Sequence, residues 1–97
     1  VTLVLKKSGT IVTDGKNVFK NTTGNPGMAS GGSGDVLTGM IAAFISQTKS
    51  NFDAAKAAVY IHGLAGDISA KEKTMVSMIP SDIIENIPAA LIKIGIK

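Results

Sequence analysis

The sequence contains no cysteine, no tryptophan and no arginine, and its only histidine is His62. Without cysteine there are no disulfides and no thiolate metal ligands, and a single imidazole argues against a zinc centre, so no metal ligand is assigned. The missing arginine bears on partners. All ten basic residues are lysines, scattered at positions 6, 7, 16, 20, 49, 56, 71, 73, 93 and 97. Nucleic-acid surfaces cluster their charge and favour the bidentate guanidinium, so a net charge of +3 spread in this way argues against that partner. Long apolar runs are lacking as well: none approaches the roughly 20 residues of a helical membrane span, and no charged segment followed by an apolar one opens the chain as a signal peptide would. A soluble cytoplasmic protein without a membrane partner is the expectation. What remains, 97 residues with 44% hydrophobic and 18% charged content, suits one globular core.

The chain opens on Val1 with no methionine before it, directly in the strand-like run "VTLVLKK". This reads as entry partway through a sheet, and the expectation is the C-terminal portion of a longer domain occupying residues 1–97, with no second domain. The unbroken Val/Leu run predicts a strand over about Val1 to Lys6, buried on both faces. In "GTIVTDGKNVFKN", two β-branched or aromatic runs flank Asp14-Gly15, which predicts a hairpin through a type I′ turn centred on that pair. Helical spacing of Val36, Leu37, Met40, Ile41, Phe44 and Ile45 predicts a helix from Asp35 to about Gln47. Asp53 is the predicted cap of an alanine-rich helix running through "AAKAAVYIHGLAGDISAKEK". Gly63 and Gly66 inside it cost helix propensity, which points to close approach of another element. Ser81 or Asp82 is the predicted cap of "IIENIPAALIKI", with Pro88 as its kink or break.

The densest signal is the stretch "GNPGMASGGSGDVLTGMIAAF". Six of the eleven glycines fall between Gly24 and Gly39, immediately ahead of an apolar helix. The first turn of a helix offers N–H groups without intrahelical acceptors, and its dipole places partial positive charge there. Gly31, Gly32 and Gly34 let the backbone curl within hydrogen-bonding distance of phosphate oxygens, and Ser33 adds a hydroxyl donor or a cap. Neither a Walker motif nor a dinucleotide fingerprint is present. Asp35 stands oddly beside such an anion cradle. One reading makes it a general base that deprotonates an acceptor hydroxyl while the N–H groups stabilise charge on a transferring phosphoryl group. The other makes Ser33 and Asp35 simple helix-capping residues.

"NPGMASGGSGDVLTGMIAAF" resembles the signature of the ribokinase-like superfamily, and more narrowly that of the ADP/ATP-dependent NAD(P)H-hydrate dehydratases. The likeness extends to "HGLAGD", His62 to Asp67, and to "SDIIENIP", Ser81 to Pro88. The resemblance implies an α/β, ribokinase-like three-layer fold and a lyase with kinase-like chemistry, which repairs hydrated NAD(P)H by phosphorylating the ring hydroxyl and eliminating phosphate. It implies ADP or ATP as the donor, Mg2+, and homo-oligomeric assembly. By that resemblance Asp35 is the base and contacts the substrate, and Gly32, Ser33 and Gly34 form the anion hole, with Gly34 also at the nucleotide. The segment Lys6, Lys7, Ser8, Gly9 and Thr10 lies against the adenine nucleotide, with Lys7 standing where the family pattern has glycine. Asn25 becomes a candidate substrate contact. A small-molecule kinase of the same superfamily uses the same anion hole and base, and a non-catalytic nucleotide-binding module would use the glycine loop alone.

Several conspicuous residues have plainer readings. His62, without a second histidine, is expected to pack. Asp67 has two readings, a place lining the nucleotide pocket and, as the default, a solvated helical carboxylate. Asn25-Pro26-Gly27 is expected to be a turn, and Met28, Met40, Met75 and Met78 gap-filling core. Lys71 and Lys73 suit a helix C-terminus and need no partner.

Overall fold

The computed structural model describes residues 1–6, 9–29 and 31–95. Three short strands, β1 (Leu3–Leu5), β2 (Ile11–Thr13) and β3 (Val18–Lys20), form an antiparallel sheet in that order. Its register pairs Val4 with Val12 and Val12 with Phe19. Because side chains alternate along a strand, these three share a face. Val12 is fully buried, and Val4 and Phe19 pack beside it against the helices. Leu3 and Leu5 point the other way and are 54% and 51% exposed. The expectation that β1 is buried on both faces therefore does not hold among the described residues, whose helices cover one side of the sheet.

The β2–β3 connection is a hairpin, but its turn is displaced from the predicted centre. Asp14 and Asn17 close the hairpin just beyond the strands, Asp14 donating its N–H to the Asn17 carbonyl at 3.3 Å. The central pair is Gly15-Lys16, and only Gly15 has positive φ (+94°), as in a turn with glycine at its first central position rather than type I′. Asp14 contributes its carboxylate, which accepts from Lys16 N at 2.9 Å and Asn17 N at 2.7 Å. Those bonds hold its carboxyl below the usual carboxylate range.

After a 3₁₀ turn at Pro26–Met28 come α1 (Ser33–Ile45), α2 (Asn51–Ser77), α3 (Pro80–Glu85) and α4 (Ile87–Lys93). Helix α2 is the spine. Its Ala55, Ala58, Val59, Ile61 and Ala65 make the core with Val12 of the sheet, Leu37 and Met40 of α1, Met78, Ile83 and Ala90. Alanine brings the neighbouring elements close to its axis, and Lys56 adds an ammonium over the rings of Phe19 and Phe52 at 5.8 and 5.9 Å. The cap of α2 is Ser50, whose hydroxyl accepts from Asp53 N at 3.1 Å; Asp53 is third in the helix rather than its cap. The regular helix runs as far as Lys73, because Thr74 leaves helical geometry at φ 69°, ψ 159°.

At α3, Asp82 acts from inside the first turn, accepting from Ile79 N at 2.8 Å, while Pro80 occupies the start. Its carboxylate is buried and also holds Lys73 Nζ at 2.6 Å, so that lysine has the partner its sequence position did not require. The Lys73 bond and the Ile79 N–H hold the Asp82 carboxyl below its ordinary range. The break between α3 and α4 falls at Asn86, two residues before Pro88, which removes the N–H that would have continued the first helix. Met40 and Met78 are core as expected and Met28 is half-buried, but Met75 is 49% exposed.

Candidate functional site

A cleft of about 550 Å³ opens where the end of β1, the segment after β3 and the start of α1 converge. Lys6, Gly9 and Thr10 line one side; Thr23, Gly24, Asn25 and Met28 another; Ser33 and Gly34 of α1 and Val59, His62 and Gly63 of α2 complete it. The sequence candidates Lys6, Gly9, Thr10, Asn25, Ser33 and Gly34 are thus brought together. Lys7 and Ser8 lie outside the described residues.

Helix α1 begins in a way only glycine favours. Gly32 is the residue before the helix and takes φ +95°, with no side chain capping the first turn. The first intrahelical bond is Val36 N to Gly32 O at 3.1 Å, so the N–H groups of Ser33, Gly34 and Asp35 have no acceptor within the helix. Neither Ser33 nor Asp35 is the cap. Ser33 is the first helical residue and buried, and Asp35 is the third and exposed. Gly34 matters through the space it leaves: a Cβ there would stand 2.7 Å from Lys6 Nζ. The lysine ammonium therefore abuts the positive end of a helix dipole, a repulsive arrangement that an anion between them would relieve.

His62 buttresses the same helix start. Its Nε2 lies 3.1 Å from the Ser33 carbonyl and 3.5 Å from Ser33 Oγ. A carbonyl only accepts, so the Nε2–H donates. Burial pushes the imidazole below its ordinary pKa, the Ser33 bond opposes that, and the Lys6 charge adds to it. A packing histidine is what the sequence led us to expect; its hold on Ser33 is the addition. Among the described residues, no group of three or more His, Asp or Glu side chains converges as a metal site would require.

The segment from Asn21 to Met28 is tied to α2 throughout. Asn21, buried, donates from Nδ2 to Val59 O at 3.0 Å, and Thr23 Oγ1 donates to Tyr60 O at 2.8 Å. Gly63 and Gly66 meet this segment at close range, as their place inside a helix suggested. A Cβ on Gly63 would be 2.7 Å from Thr23 C and 2.9 Å from Gly24 N, and one on Gly66 would run into the Met28 side chain. Asp67 is no solvated carboxylate. Its oxygens accept from Gly24 N at 3.0 Å and Asn25 Nδ2 at 2.9 Å. Asn25 in turn accepts from Gly27 N at 2.9 Å and starts the 3₁₀ turn, in keeping with the turn read from Asn-Pro-Gly.

Two candidates lie away from the cleft lining. Gly32 sits at the edge, where an added Cβ would be 3.3 Å from the Pro80 ring. Asp35 borders a shallower apolar depression with Val36, Met40, Phe44, Ile84 and Ile87. Asn21, Thr23 and His62 line the cleft although sequence reasoning did not place them there, and Asp67, which it weighed for the nucleotide pocket, lies behind the lining, bonded to Gly24 and Asn25. His62 and Asp67 carried a signal, since they bound the six-residue "HGLAGD" block that encloses both α2 glycines.

Comparison with known proteins extends the geometry. A family model described as NAD(P)H-hydrate dehydratase matches residues 1–89. The bifunctional NAD(P)H-hydrate repair enzyme Nnr of Vibrio cholerae is 45% identical over 85 residues, which are 88% of this chain and 17% of that protein. The ADP-dependent (S)-NAD(P)H-hydrate dehydratase of Enterococcus faecalis is 42% identical over 92 residues, 95% of this chain and 31% of that one. Among solved structures, the ADP/ATP-dependent NAD(P)H-hydrate dehydratase of Bacillus subtilis co-crystallized with ATP/Mg2+ superimposes with a TM-score of 0.88 at 30% identity, covering 95% of this chain and 34% of that chain. A ribokinase-like superfamily protein from Enterococcus faecalis gives 0.83 at 42% identity, covering 95% and 32%. The chain thus spans about a third or less of the length of these relatives.

Proposed function

The chain belongs to the NAD(P)H-hydrate dehydratase family, and from that premise we propose that the protein carrying it repairs hydrated NAD(P)H, with an adenine nucleotide as phosphoryl donor. The observation that carries this reading is the meeting of Lys6, Ser33 and Gly34 at the uncapped start of α1, a positively charged corner suited to a phosphoryl group. The glycine without a Cβ and the three N–H groups without intrahelical acceptors fit an anion in that place.

Bound ADP or ATP supplies the phosphoryl group, and Mg2+ neutralises part of its charge. The N–H groups at Ser33, Gly34 and Asp35, shaped by the left-handed turn at Gly32, receive the developing negative charge, and the Lys6 ammonium adds to it. Lys6, Gly9 and Thr10 flank the nucleotide. The Asp35 carboxylate takes the proton from the ring hydroxyl of hydrated NAD(P)H, which it contacts, as the hydroxyl oxygen bonds to the terminal phosphorus and the bond from that phosphorus to the nucleotide's bridging oxygen breaks; loss of inorganic phosphate with the neighbouring ring proton then restores the dihydropyridine. Its exposed place on α1, beside apolar Val36 and Met40, is consistent with a substrate approaching from that side while phosphate is held in the cleft. Asn25 is spent on the loop through Gly27 and Asp67, so a substrate contact would use what remains of its amide. No magnesium ligand is assigned to this chain.

The test is spectroscopic. The protein carrying this chain is incubated with hydrated NADH, magnesium and either ADP or ATP, and the return of dihydronicotinamide absorbance is followed. Recovery requires nucleotide, and Asp35→Asn lowers its rate by about 10²–10⁴-fold, the usual contribution of a general base, with nucleotide affinity nearly unchanged. No recovery by a folded, nucleotide-binding protein refutes the dehydratase reading and turns the search to kinase substrates.

A further inference from the structure

We propose that Asp67 is a positioning residue for the cleft: its carboxylate, carried on α2, sets the conformation of the Gly24–Met28 wall and through it the affinity for nucleotide. The wall itself rests on contacts seen here, and its use by a nucleotide rests on the function proposed above. Residues 62, 63, 66 and 67 recur at helical spacing on one side of α2. His62 holds the first residue of α1, Gly63 and Gly66 admit the wall to near contact, and Asp67 fastens it.

The chemistry requires a carboxylate. Asp67 faces two donors at once, the Gly24 N–H at 3.0 Å and the Asn25 Nδ2 at 2.9 Å, and needs acceptors at both oxygens. An amide supplies one acceptor and one donor, so one of the two contacts becomes donor against donor. Asp67 forms no ion pair among the described residues, so the loop donors are what its half-buried position serves. Gly24 takes φ +106° at this contact, and the next side chain, Asn25, turns back to Gly27 N and shapes the 3₁₀ turn. Removing Asp67 therefore frees the wall at its entry while Thr23 and Asn21, bonded to other α2 carbonyls, keep the preceding residues in place.

The experiment compares the wild-type protein carrying this chain with Asp67→Asn, Asp67→Ala and the exchange variant Asp67→Asn/Asn25→Asp. Amide hydrogen exchange is measured at Gly24 and Gly27, and affinity is measured with ADP and magnesium. Asp67→Asn and Asp67→Ala are expected to speed Gly24 exchange at least tenfold and to raise the ADP Kd at least tenfold. Turnover at saturating ADP is expected to stay within about threefold in Asp67→Asn. The exchange variant restores acceptor facing donor and returns Gly24 protection to within about threefold of wild type. Unchanged Gly24 exchange in Asp67→Asn overturns the proposal, as does faster exchange with an unchanged ADP Kd. Failure of Asp67→Ala to fold leaves the decision with Asp67→Asn, which keeps the side-chain volume. A wild-type protein that binds neither ADP nor ATP overturns the nucleotide reading above, whereas the exchange measurements still decide the clamp.

Discussion

Replacing Gly39, Gly63 and Gly66 by alanine, one at a time, subjects three helical positions to the same chemical change in three different surroundings. Helix propensity alone would stabilise each variant by about 1 kcal/mol. At Gly39 nothing lies within 4 Å of the added methyl, so that gain stands nearly whole. At Gly66 the methyl meets the Met28 side chain, with Cγ at 2.8 Å, and a flexible thioether can repack. Overpacking of about 1–2 kcal/mol then offsets the propensity gain, for a net change between zero and about 1 kcal/mol of destabilisation. At Gly63 the methyl meets backbone, Thr23 C at 2.7 Å and Gly24 N at 2.9 Å, which no rotamer change relieves. Overpacking near 3 kcal/mol, with about 1 kcal/mol for the Thr23-to-Tyr60 hydrogen bond at 2.8 Å, outweighs propensity and leaves about 3 kcal/mol of destabilisation. Urea unfolding of the three variants should rank Gly39→Ala above wild type, Gly66→Ala slightly below it and Gly63→Ala far below. A Gly63→Ala protein as stable as Gly39→Ala would refute the close approach of loop and helix on which the cleft depends.

Two titrations test other contacts. Burial keeps the pKa of His62 below its ordinary 6.5, so between that value and the lower folded one the unfolded chain binds more protons. Stability is then fully present above about pH 6.5 and is lost as pH falls through the window beneath it. Unfolding measured at pH 7.5, 6.0 and 5.0 should show this loss in wild type and its reduction in His62→Asn, and identical slopes would refute it. The Asp82 carboxyl, held below 3.8 first by Lys73 and then by the Ile79 N–H, contributes stability present above 3.8 and lost as pH falls through its folded value. Asp82→Asn should be less stable than wild type at neutral pH and should converge with it in acid unfolding below pH 4; a constant difference between the two would exclude this linkage.

Features set by neighbouring residues were legible in the sequence. The run from Gly31 to Phe44 announced a glycine-started helix, Asp14-Gly15 a hairpin, Pro88 a helix break and Gly63 with Gly66 a close approach, each through a local constraint on φ, donors or space. The ribokinase-like α/β fold followed from the long motif around Asp35, and the solved relatives share it. Errors arose where two local solutions compete. Ser50 and Asp53 are both good caps, and the side chain that reaches the free N–H decides between them. Gly15 with either neighbour makes a hairpin turn, and the pairing of Asp14 with Asn17 selects the second. An unbroken Val/Leu run is compatible with burial on both faces, but whether both are covered depends on layers the run cannot encode.

The sequence by itself determined that a helix starts after the glycine run, that a helix breaks close to Pro88, and that glycines stand where the backbone turns left-handed ahead of α1 and in the hairpin. Tertiary structure decided what meets that start. Lys6 arrives from the sheet, His62 reaches Ser33 across 29 residues, and Asp67 closes on Gly24 across 43. Such contacts depend on the angle and distance at which α2 passes the loop, quantities set by alanine packing and the space at two glycines rather than by the preferences of the residues that touch.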